Sequence, residues 1–552
     1  MHFIVIVILW LGFAIQASAA TYYVGKNVAG ASDSNAGTSA VEPWLTVQKS
    51  STTATSGDTV FVLTGDYAER VTISNHGATF AGNTNDVTIL GVTSTGKDNW
   101  SLIGFQITHP SVGAQNYDAV RVDGGTNVKI LDNYIHDVDS SGIRPGNTLD
   151  LIIRGNVIDR CGQASLPLTG AAGVSSLFGK NDTNTVVEYN SISHVSDYIN
   201  PFGTGWKIRN NLIGPCYTNA TVHIDGIQPN AKCDLGLFEN TMSIDNSNSD
   251  NHFFLNQYAE STNWVLRGNV TIRSKGIVNL QGGMKTYFYH NSFIDNLVYY
   301  DSDFQINMDD PGHFSRGNIW WKSVKSTPGP YTPNANIDDD GDIWYQSGTQ
   351  TQANGLSSDP LIVSTNDAHI QVSSPAIGSA IGVTIANGAG SSSMTLVTAS
   401  GGTGSFYAGD EIKIGSGDLV SVESVDLTTD TIMLAVARSW SDGDDVWWRG
   451  QTDIGALPYG SVELTAAVMV QSGTTYTVTP TGDARGVWFY VDGIPTTWVS
   501  TAPYSAMIAS GTVTAKAYAL YAQSEPVVSA SFSPTPQLNG NSTISGNVTF
   551  SQ

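Results

Sequence analysis

The stretch "VKILDNYIHDV", residues 128–138, returns at residues 151–161 as "LIIRGNVIDRC". Both phrases alternate apolar and polar residues, reach an asparagine, and continue with further apolar residues. The pattern returns six more times, at spacings of 21 to 34 residues. The eight asparagines are Asn133, Asn156, Asn190, Asn211, Asn240, Asn269, Asn291 and Asn318. A repeat of this length with a period of two, and without helical periodicity, predicts a parallel β-helix in which each copy is one coil.

The recurring asparagine predicts a ladder along the β-helix. An asparagine at a fixed turn position tolerates φ > 0 and can hydrogen bond to the equivalent asparagine one coil away. The phrase "SLIGFQI", residues 101–107, is interpreted as an earlier copy with Phe105 in the asparagine position. A β-sandwich with recurring asparagine turns is the alternative, but it would not keep one phrase through eight copies.

These phrases resemble the coils of the right-handed parallel β-helices in the pectate-lyase-like superfamily. "TYYVGKN" (21–27) and "PWLTVQKS" (43–50) resemble the opening of secreted members, in which the second segment caps the helix end. "SSDPLIV" (357–363) and "DIGALPYG" (453–460) resemble the closing segment and the final strand. The resemblance covers roughly residues 21–380 and implies the fold. It does not imply one chemistry, because the superfamily includes lyases, hydrolases, epimerases and adhesins.

The chain is therefore predicted to be all-β, with a right-handed parallel β-helix, an inserted small β unit and a C-terminal immunoglobulin-like β-sandwich. The last element rests on the resemblance of "GVWFYVDGIPTTWVSTAPYSA" (486–506) to bacterial immunoglobulin-like modules. The predicted boundaries are a signal peptide at 1–19, the β-helix at 20–380 with its closing strand at 451–460, an acidic β insertion at 381–450, the immunoglobulin-like domain at 461–532 and a tail at 533–552.

The N-terminal stretch "MHFIVIVILWLGFAIQASAA" predicts a secretory signal. Its apolar run is too short to span a bilayer, and Ala17-Ser18-Ala19 fits a cleavage site. No later stretch is apolar enough to span a membrane. We therefore expect a protein that is secreted or held at the cell surface.

The charge balance narrows the choice of partners. The chain has 48 acidic and 25 basic residues, which disfavours nucleic acid as a partner. An acidic polysaccharide would also be repelled unless its site is locally basic or uses a bridging cation. The three cysteines do not form a disulfide scaffold; Cys216 and Cys233 either pair or are, like Cys161, buried thiols.

The stretch "TVHIDGIQPN", residues 221–230, is predicted to be the middle of a polar patch on an outer sheet face. His223 and Asp225 are two positions apart on one strand, so we expect both to point outward. The predicted catalytic residues are His223, Asp225, His194 and Lys275. The predicted substrate-binding residues are Arg144, Tyr198, Gln228, His252, Tyr258 and Arg273. The alternative is ordinary solvated surface, where single polar residues are expected.

Two groups of oxygen ligands predict calcium. Asp197, Asp225 and Asp250 are carboxylates on adjacent coils, which suits Ca²⁺. "NIDDDGDIW", residues 336–344, resembles the start of an EF-hand-type loop, with Asn336, Asp338 and Asp340 at positions 1, 3 and 5. Position 12 of that loop is a serine instead of the expected glutamate, so a merely acidic turn is the alternative.

The leading functional hypothesis is a polysaccharide lyase, active as a monomer, that cleaves a uronate-containing glycan by β-elimination. That reaction needs a base and positive charge near the uronate carboxylate. One alternative is a glycoside hydrolase on the same scaffold, which would need two opposed carboxylates. The other is a non-catalytic glycan-binding or adhesin-type surface protein, which the predicted immunoglobulin-like module favours.

Overall fold

The computed structural model describes residues 19–82, 86–109, 118–162, 172–177, 179–215, 224–230, 232–245, 251–256, 260–274, 278–280, 285–298, 304–306, 313–325, 337–347, 354–365, 367–457, 460, 466–481, 484–491, 494–499, 502–508 and 513–519. Within these ranges the structure is almost entirely β, with one α-helix at Val47–Thr53 and one 3-10 helix at Gly402–Ser405. None of the helices described is long and apolar enough to cross a membrane.

Each coil consists of three short strands, as Lys129–Leu131, Tyr134–Val138 and Ile143–Leu149 illustrate. Every strand of a coil pairs in parallel with the corresponding strand of the next coil. The strands therefore form three stacks, which we call the first, second and third sheets in the order in which the chain enters them. The predicted parallel β-helix is confirmed.

The strands of the three sheets are bounded as follows. The first sheet contains Thr21–Val24, Thr59–Val62, Thr79–Ala81, Ser101–Ile103, Lys129–Leu131, Ile152–Arg154, Val186–Glu188, Lys207–Arg209, Leu237–Glu239, Trp264–Arg267, Thr286–Tyr289, His313–Arg316 and Ile337–Asp340. The second contains Gln106–Ile107, Tyr134–Val138, Val157–Cys161, Ser191–Ser193, Leu212–Ile213, Met242–Ile244, Val270–Ile272, Ser292–Ile294, Ile319–Trp321 and Ile343–Tyr345. The third contains Gly65–Ile73, Val87–Thr95, Val120–Thr126, Ile143–Leu149, Ala172–Ser175, Asp197–Asn200, Ile224–Ile227, Asn251–Asn256, Val278–Leu280 and Phe304–Ile306, extended by Asp182–Thr183 and Gly203–Thr204.

The interior of the β-helix is filled by the inward residue of each strand. In the first sheet one inward column is Ile130, Ile153, Val187, Ile208, Phe238, Leu266 and Phe288. In the second sheet the last coils replace aliphatic residues by stacked aromatic rings. Phe293 and Trp320 have ring centroids 4.2 Å apart, and Trp320 and Trp344 have centroids 4.6 Å apart. This burial of apolar surface is the main source of stability for the solenoid.

The asparagine ladder lies in the turn between the first and second sheets. The backbone N–H of Asn133 donates to Asn156 Oδ1 at 3.0 Å, and that of Asn156 donates to Asn190 Oδ1 at 2.9 Å. The same contact continues to Asn211 and again from Asn269 through Asn291 to Asn318. At the N-terminal end, the Phe105 N–H donates to Asn133 Oδ1, which confirms the earlier copy.

One ladder position was predicted wrongly. Thr241, not Asn240, fills the slot: Asn211 N–H donates to Thr241 Oγ1, and Thr241 N–H donates to Asn269 Oδ1. Asn240 occupies the preceding turn position, which has a left-handed backbone at φ 47°. The positive φ angle is thus found at the residue that precedes each ladder residue, for example at Asp132 before Asn133. The ladder residue itself makes the hydrogen bonds between coils.

The end of the β-helix and two of its outer faces are covered. The N-terminal helix begins at Thr46, whose side chain accepts the Lys49 N–H as an N-cap. Ile362, Ile370 and Ile454 belong to a core with outward residues of the second sheet's later coils. A six-stranded sheet packs on the first sheet's later coils. Within the part of the chain described, neither of these two cores includes a third-sheet residue.

Leu297–Val298 pairs in parallel with Val324–Lys325, and the strands that remain are antiparallel. Ile362–Ser364 pairs with Asp367–Ile370. The six-stranded sheet contains Thr384–Ile385, Asp445–Trp448, Glu411–Ile414, Val420–Asp426, Thr431–Trp440 and Gly390–Val397. Two three-stranded sheets follow. One contains Ala466–Ser472, Thr475–Thr481 and Tyr504–Met507. The other contains Ile494–Val499, Ala484–Val491 and Val513–Ala519. Tyr490 of the latter donates to Asp132 Oδ2 at 3.0 Å, which attaches these sheets to an early coil.

Candidate functional site

The outer face of the third sheet carries a polar side chain on each of five consecutive coils. Parallel pairing places Arg144 beside Arg121 and Asn200 beside Ser175. The residue before each of these points into the core, and these inward residues are Val120, Ile143, Val174, Ile199 and Ile227. Because side chains alternate between the two faces of a strand, the following residues point outward. We call Arg121, Arg144, Ser175, Asn200 and Gln228 the groove column.

Two atoms of the groove column lack hydrogen-bond partners. Arg144 Nε and Asn200 Oδ1 are buried and have no partner among the residues described. The rest of each side chain is held, since Arg144 Nη1 lies 3.4 Å from Asp118 Oδ1 and Asn200 Nδ2 donates to Asp197 Oδ2 at 3.0 Å. A buried polar atom without a partner costs about 1–3 kcal/mol, so each such atom in a native fold needs an explanation. Arg438 Nε in the six-stranded sheet is in the same state, so these two atoms do not by themselves mark a ligand site.

The N-terminal end of the groove column is locally basic, although the chain has a formal net charge of −23. Arg121 and Arg144 are neighbours across the sheet, and their side chains are 42% and 30% exposed. Lys180 Nζ lies 3.2 Å from Asp123 Oδ1, and Arg121 Nη2 lies 4.0 Å from Asp123 Oδ2. Only Asp118 and Asp123 oppose the three cations in these contacts. This surplus of positive charge favours an anionic ligand.

Three residues that were predicted to face outward are buried. Asp225 and Tyr198 are fully buried, and Asp197 is 8% exposed. Tyr198 belongs to the main core and cannot offer its ring to a sugar. The predicted orientation is wrong because the two-residue alternation breaks at the start of these strands: Ile224 and Ile227 are three positions apart, yet both lie in the core.

Gly226, which follows Asp225, is a glycine for a structural reason. A Cβ on Gly226 would lie 2.3 Å from the carbonyl oxygen of Phe253 on the next coil. The two backbones therefore approach too closely for any side chain. Asp225, whose N–H donates to Asp197 Oδ1 at 3.0 Å, is buried in this tightly packed strand and does not line an open groove.

The remaining predicted site residues fall in several places. Arg144 and Gln228 lie in the groove column as expected. His252 pairs with Asp225 in the parallel register of the third sheet. The predicted residues His223, Lys275, Tyr258, Asp250 and Asn336 lie outside the residues described.

His194 and Arg273 lie in the turn that follows the second sheet, with left-handed backbones at φ 47° and 52°. Arg273 Nε donates to Asp245 Oδ1 at 2.6 Å, and its Nη1 donates to the Thr365 carbonyl at 2.7 Å. The hydrogen bond to Asp245 raises the pKa of Arg273. Arg273 thus ties the turn to the covering segment, whereas His194 is 39% exposed at the margin of the third sheet.

The "NIDDDGDIW" motif is another coil of the β-helix. Ile337–Asp340 is a first-sheet strand paired with His313–Arg316, and Gly341 takes the left-handed position at φ 72°. Asp342 fills the asparagine slot, where its Oδ1 accepts the Asn318 N–H at 2.7 Å. Burial raises the pKa of Asp342. Residues 337–340 thus form a strand and not an EF-hand-type loop, and calcium binding at this motif stays a prediction.

The predicted calcium ligands that the structure describes accept hydrogen bonds from the protein, and calcium binding stays a prediction because Asp250 and Asn336 lie outside the described residues. No group of three or more His, Cys, Asp or Glu side chains within the described ranges could hold a metal. Asp197 uses one oxygen for the Asp225 N–H and the other for the Asn200 amide. Asp340 accepts the N–H of Asn354 at 2.8 Å and its side-chain amide at 2.7 Å. Both carboxylates satisfy protein donors.

No model of a known protein family matches the sequence, and no curated protein matches it. Among solved structures, the chain is similar to pectate lyase Pel9A, with 15% identity, TM-score 0.40 and coverage of 66% of this chain and 92% of that one. It is similar to a rhamnogalacturonan lyase, with 14% identity, TM-score 0.41 and coverage of 59% and 87%. It is also similar to a GH136 lacto-N-biosidase from Eubacterium ramulus, with 15% identity, TM-score 0.38 and coverage of 54% and 67%. Likenesses of this size do not identify the activity of the chain.

Proposed function

We propose that the protein is a polysaccharide-active enzyme of the cell exterior that binds an acidic glycan along the groove column and cleaves it by β-elimination. The observation that carries this proposal is the adjacent pair Arg121 and Arg144, whose side chains are 42% and 30% exposed on the outer face of the third sheet. An anionic chain would supply acceptors for the exposed parts of these guanidinium groups. We further propose that the enzyme acts as a monomer.

The basic end of the groove column suits the chemistry of β-elimination. A base removes the proton on the carbon next to the uronate carboxylate, and the electron pair left behind forms a carbon–carbon double bond. The bond to the glycosidic oxygen breaks, and that oxygen takes up a proton. Negative charge builds up on the carboxylate during proton removal, and Arg144 and Arg121 are placed to stabilise it. Arg144 would bind the carboxylate through the exposed part of its guanidinium group, because its Nε is buried and its Nη1 faces Asp118.

Calcium has no part in this proposal. A glycoside hydrolase is the second candidate because two carboxylates lie on adjacent coils near the groove. Arg160 Nε donates to Asp137 Oδ1 at 2.7 Å, and Arg160 Nη1 binds Asp159. Hydrolysis would require this pair to act as acid and base across a glycosidic bond.

The test is a panel of acidic and neutral polysaccharides with two signals recorded in parallel. Ultraviolet absorbance of unsaturated uronate reports elimination, and reducing-sugar release without that absorbance reports hydrolysis. We expect absorbance on a uronate-containing glycan, and a loss in kcat/KM of about 10²-fold or more in Arg144→Ala. Arg438→Ala is the matched control, because Arg438 contacts only backbone carbonyls on the six-stranded sheet in its hydrogen bonds. Binding without either signal would make the protein a glycan binder, and absence of binding would refute the proposed site.

A further inference from the structure

A lysine from a later coil reaches back to the basic end of the groove column. Lys180 follows the strand Ala172–Ser175, which lies two coils after the strand that carries Arg121. Lys180 Nζ lies 3.2 Å from Asp123 Oδ1, and Arg121 Nη2 lies 4.0 Å from Asp123 Oδ2. Two cations from different coils therefore share one carboxylate.

The turn that carries Lys180 is anchored by its backbone. The Leu177 N–H donates to the Pro145 carbonyl at 2.6 Å, and the Lys180 N–H donates to the Leu177 carbonyl at 3.0 Å. A Cβ on Gly146 would lie 2.7 Å from Leu177 Cδ1, so Leu177 packs directly on the backbone of the intervening coil. The fold thus holds the turn over the coil that separates Lys180 from Arg121.

The two charged positions of the groove column differ in their balance of charge. At one position Arg144 faces Asp118, which is 3% exposed, so one cation faces one buried carboxylate. At the other position Arg121 and Lys180 share Asp123, so the cations outnumber the carboxylate. The side chains of Arg121 and Lys180 are 42% and 41% exposed, which leaves both accessible to a ligand. This second position therefore has positive charge to offer to a second acid group.

We infer that Arg121 and Lys180 form a second acid-binding subsite, and that the substrate is a glycan with contiguous uronate residues. This inference rests on the proposed function, in which Arg144 binds the carboxylate of the uronate that is cleaved. Neighbouring coils lie about 4.8 Å apart, a length similar to that of one sugar ring in an extended glycan. A uronate next to the cleaved one brings its carboxylate to Arg121 and Lys180, which bind it by charge-assisted hydrogen bonds.

Asp123 limits the strength of this subsite. Its side chain is 25% exposed and offsets one of the two cations. Asp123→Asn keeps the size of the side chain and removes its charge, so it should strengthen the binding of contiguous uronates. Lys180→Met keeps an apolar side chain of similar length and removes a cation, so it should weaken the same binding. A purely structural contact would not give opposite effects in the two variants.

The experiment measures kcat and KM on polygalacturonate and alginate, which contain only uronates, and on hyaluronate, in which uronate alternates with a neutral sugar. We expect wild-type KM to be lower on the two polyuronates. Lys180→Met should raise KM on the polyuronate that is cleaved by about tenfold, with kcat within about threefold, and should raise KM on hyaluronate less than about threefold. Asp123→Asn should lower KM on the polyuronate.

The matched control is Lys413→Met, because Lys413 belongs to the six-stranded sheet and its Nζ lies 5.9 Å from the centroid of the Trp447 ring. This variant should keep the wild-type kcat and KM on every glycan. Lys180→Met, Asp123→Asn and Lys413→Met should all melt as the wild type does, since the three side chains that are replaced are not buried.

The outcomes separate the inference from the proposed function. If Lys180→Met keeps the wild-type KM on polyuronates while Arg144→Ala loses activity, the inference is wrong and the proposed function stands. Cleavage of hyaluronate alone has the same consequence. A higher KM in both Lys180→Met and Asp123→Asn, with lower melting temperatures, would assign their contact to stability and overturn the inference. A wild-type protein inactive on every acidic glycan refutes the proposed function, and the inference falls with it.

Discussion

The outer faces of the first and third sheets both carry arginines, but the groups facing these arginines differ. On the first sheet the outward residues Arg154, Glu188 and Arg209 alternate in charge on successive coils, and Glu188 accepts hydrogen bonds from both arginines at 2.5 and 2.7 Å. On the third sheet Arg121 and Arg144 are adjacent and carry like charge. The arginines of the first sheet share one closely bound glutamate, whereas those of the third sheet face Asp123 and Asp118 at the longer distances of 4.0 and 3.4 Å.

The difference matters because the first sheet is also where the chain attaches its later segments. Arg267 donates to Glu239 at 2.8 Å and, through both Nη atoms, to Asp410 of the six-stranded sheet at 2.7 and 2.6 Å. At the other end, the Trp488 ring lies 4.5 Å from the Arg154 guanidinium. The closely paired charges of the first sheet therefore join parts of the chain, and the proposed ligand site lies where like charges are adjacent on the third sheet.

The largest effect is expected from Asp410→Ala. Removal of this carboxylate leaves the fully buried Arg267 with Glu239 as its remaining carboxylate partner, and breaking a buried ion pair costs about 3–5 kcal/mol. We expect the melting temperature to fall and the six-stranded sheet to become protease-sensitive. Asp418→Ala, at an exposed position of the same sheet, is the control and should have little effect. Equal behaviour of the two variants would mean that the paired arginine does not hold the sheet in place.

The asparagine ladder should give the next largest effect. Asn211→Leu removes the acceptor of the Asn190 N–H and the donor to the Val187 carbonyl, so we expect a loss of about 1–3 kcal/mol in the free energy of unfolding. Asn240→Gly should change it by less than about 1 kcal/mol, because glycine accepts the left-handed backbone at that position. Denaturant unfolding of both variants measures the difference. A larger loss in Asn240→Gly would restore the ladder assignment made from the sequence.

The charged residues of the first sheet make the stability of the fold depend on pH. Burial raises the pKa of Glu239, but the charges of Arg267, Arg449 and Arg209 outweigh it and lower the pKa from 4.5 to about 2. Because the pKa in the folded state is below its ordinary value, Glu239 stabilises the fold above pH 4.5, and this stability is lost as the pH falls toward 2.

The measurement is the melting temperature as a function of pH for the wild type and Glu239→Gln. We expect the wild type to lose more stability than the variant below pH 4.5. Burial raises the pKa of Asp342, so its protonation acts in the opposite direction and is common to both proteins. If the melting temperatures of the two proteins change in parallel with pH, Glu239 does not contribute to the loss of stability at low pH.

The smallest effect concerns calcium. Asp340→Ala removes acceptors for two hydrogen bonds from Asn354, and we expect a loss of about 1 kcal/mol that is the same with calcium or with a chelator. Thermal melting in both conditions is the measurement. A stabilisation by calcium that disappears in Asp340→Ala would support a metal site at this motif.

The repeat was readable from the sequence because each coil needs one inward apolar residue per strand and one hydrogen-bonding residue in the same turn. Seven of the eight predicted asparagines lie in the ladder, and Thr241 was missed because its neighbour Asn240 has the expected residue type. Asp342 was missed for a similar reason, since the acidic run around it resembles a calcium loop more than a coil. The orientation of Asp225 could not be read, because the break in alternation at Ile224–Ile227 depends on the close backbone of the next coil.

The site was only partly predictable for the same physical reason. Arg144 and Gln228 follow from alternation within regular strands, whereas Asp159 depends on which residues the turn after the second sheet brings together. The Asp159–His194 contact joins residues 35 positions apart and leaves no local pattern. The phrase "NVIDRC" did contain one signal, namely a charged residue at an outward strand position.

The most direct test of the central claim compares Arg144→Ala with Arg209→Ala in two assays, glycan binding by calorimetry and thermal melting. Arg144 lies on the third sheet with its Nε without a described partner, and Arg209 lies on the first sheet paired with Glu188. We predict that Arg144→Ala loses glycan affinity and keeps its melting temperature, and that Arg209→Ala melts at a lower temperature and binds glycan as the wild type does. The reverse pattern, or equal behaviour of the two variants in both assays, would contradict the account.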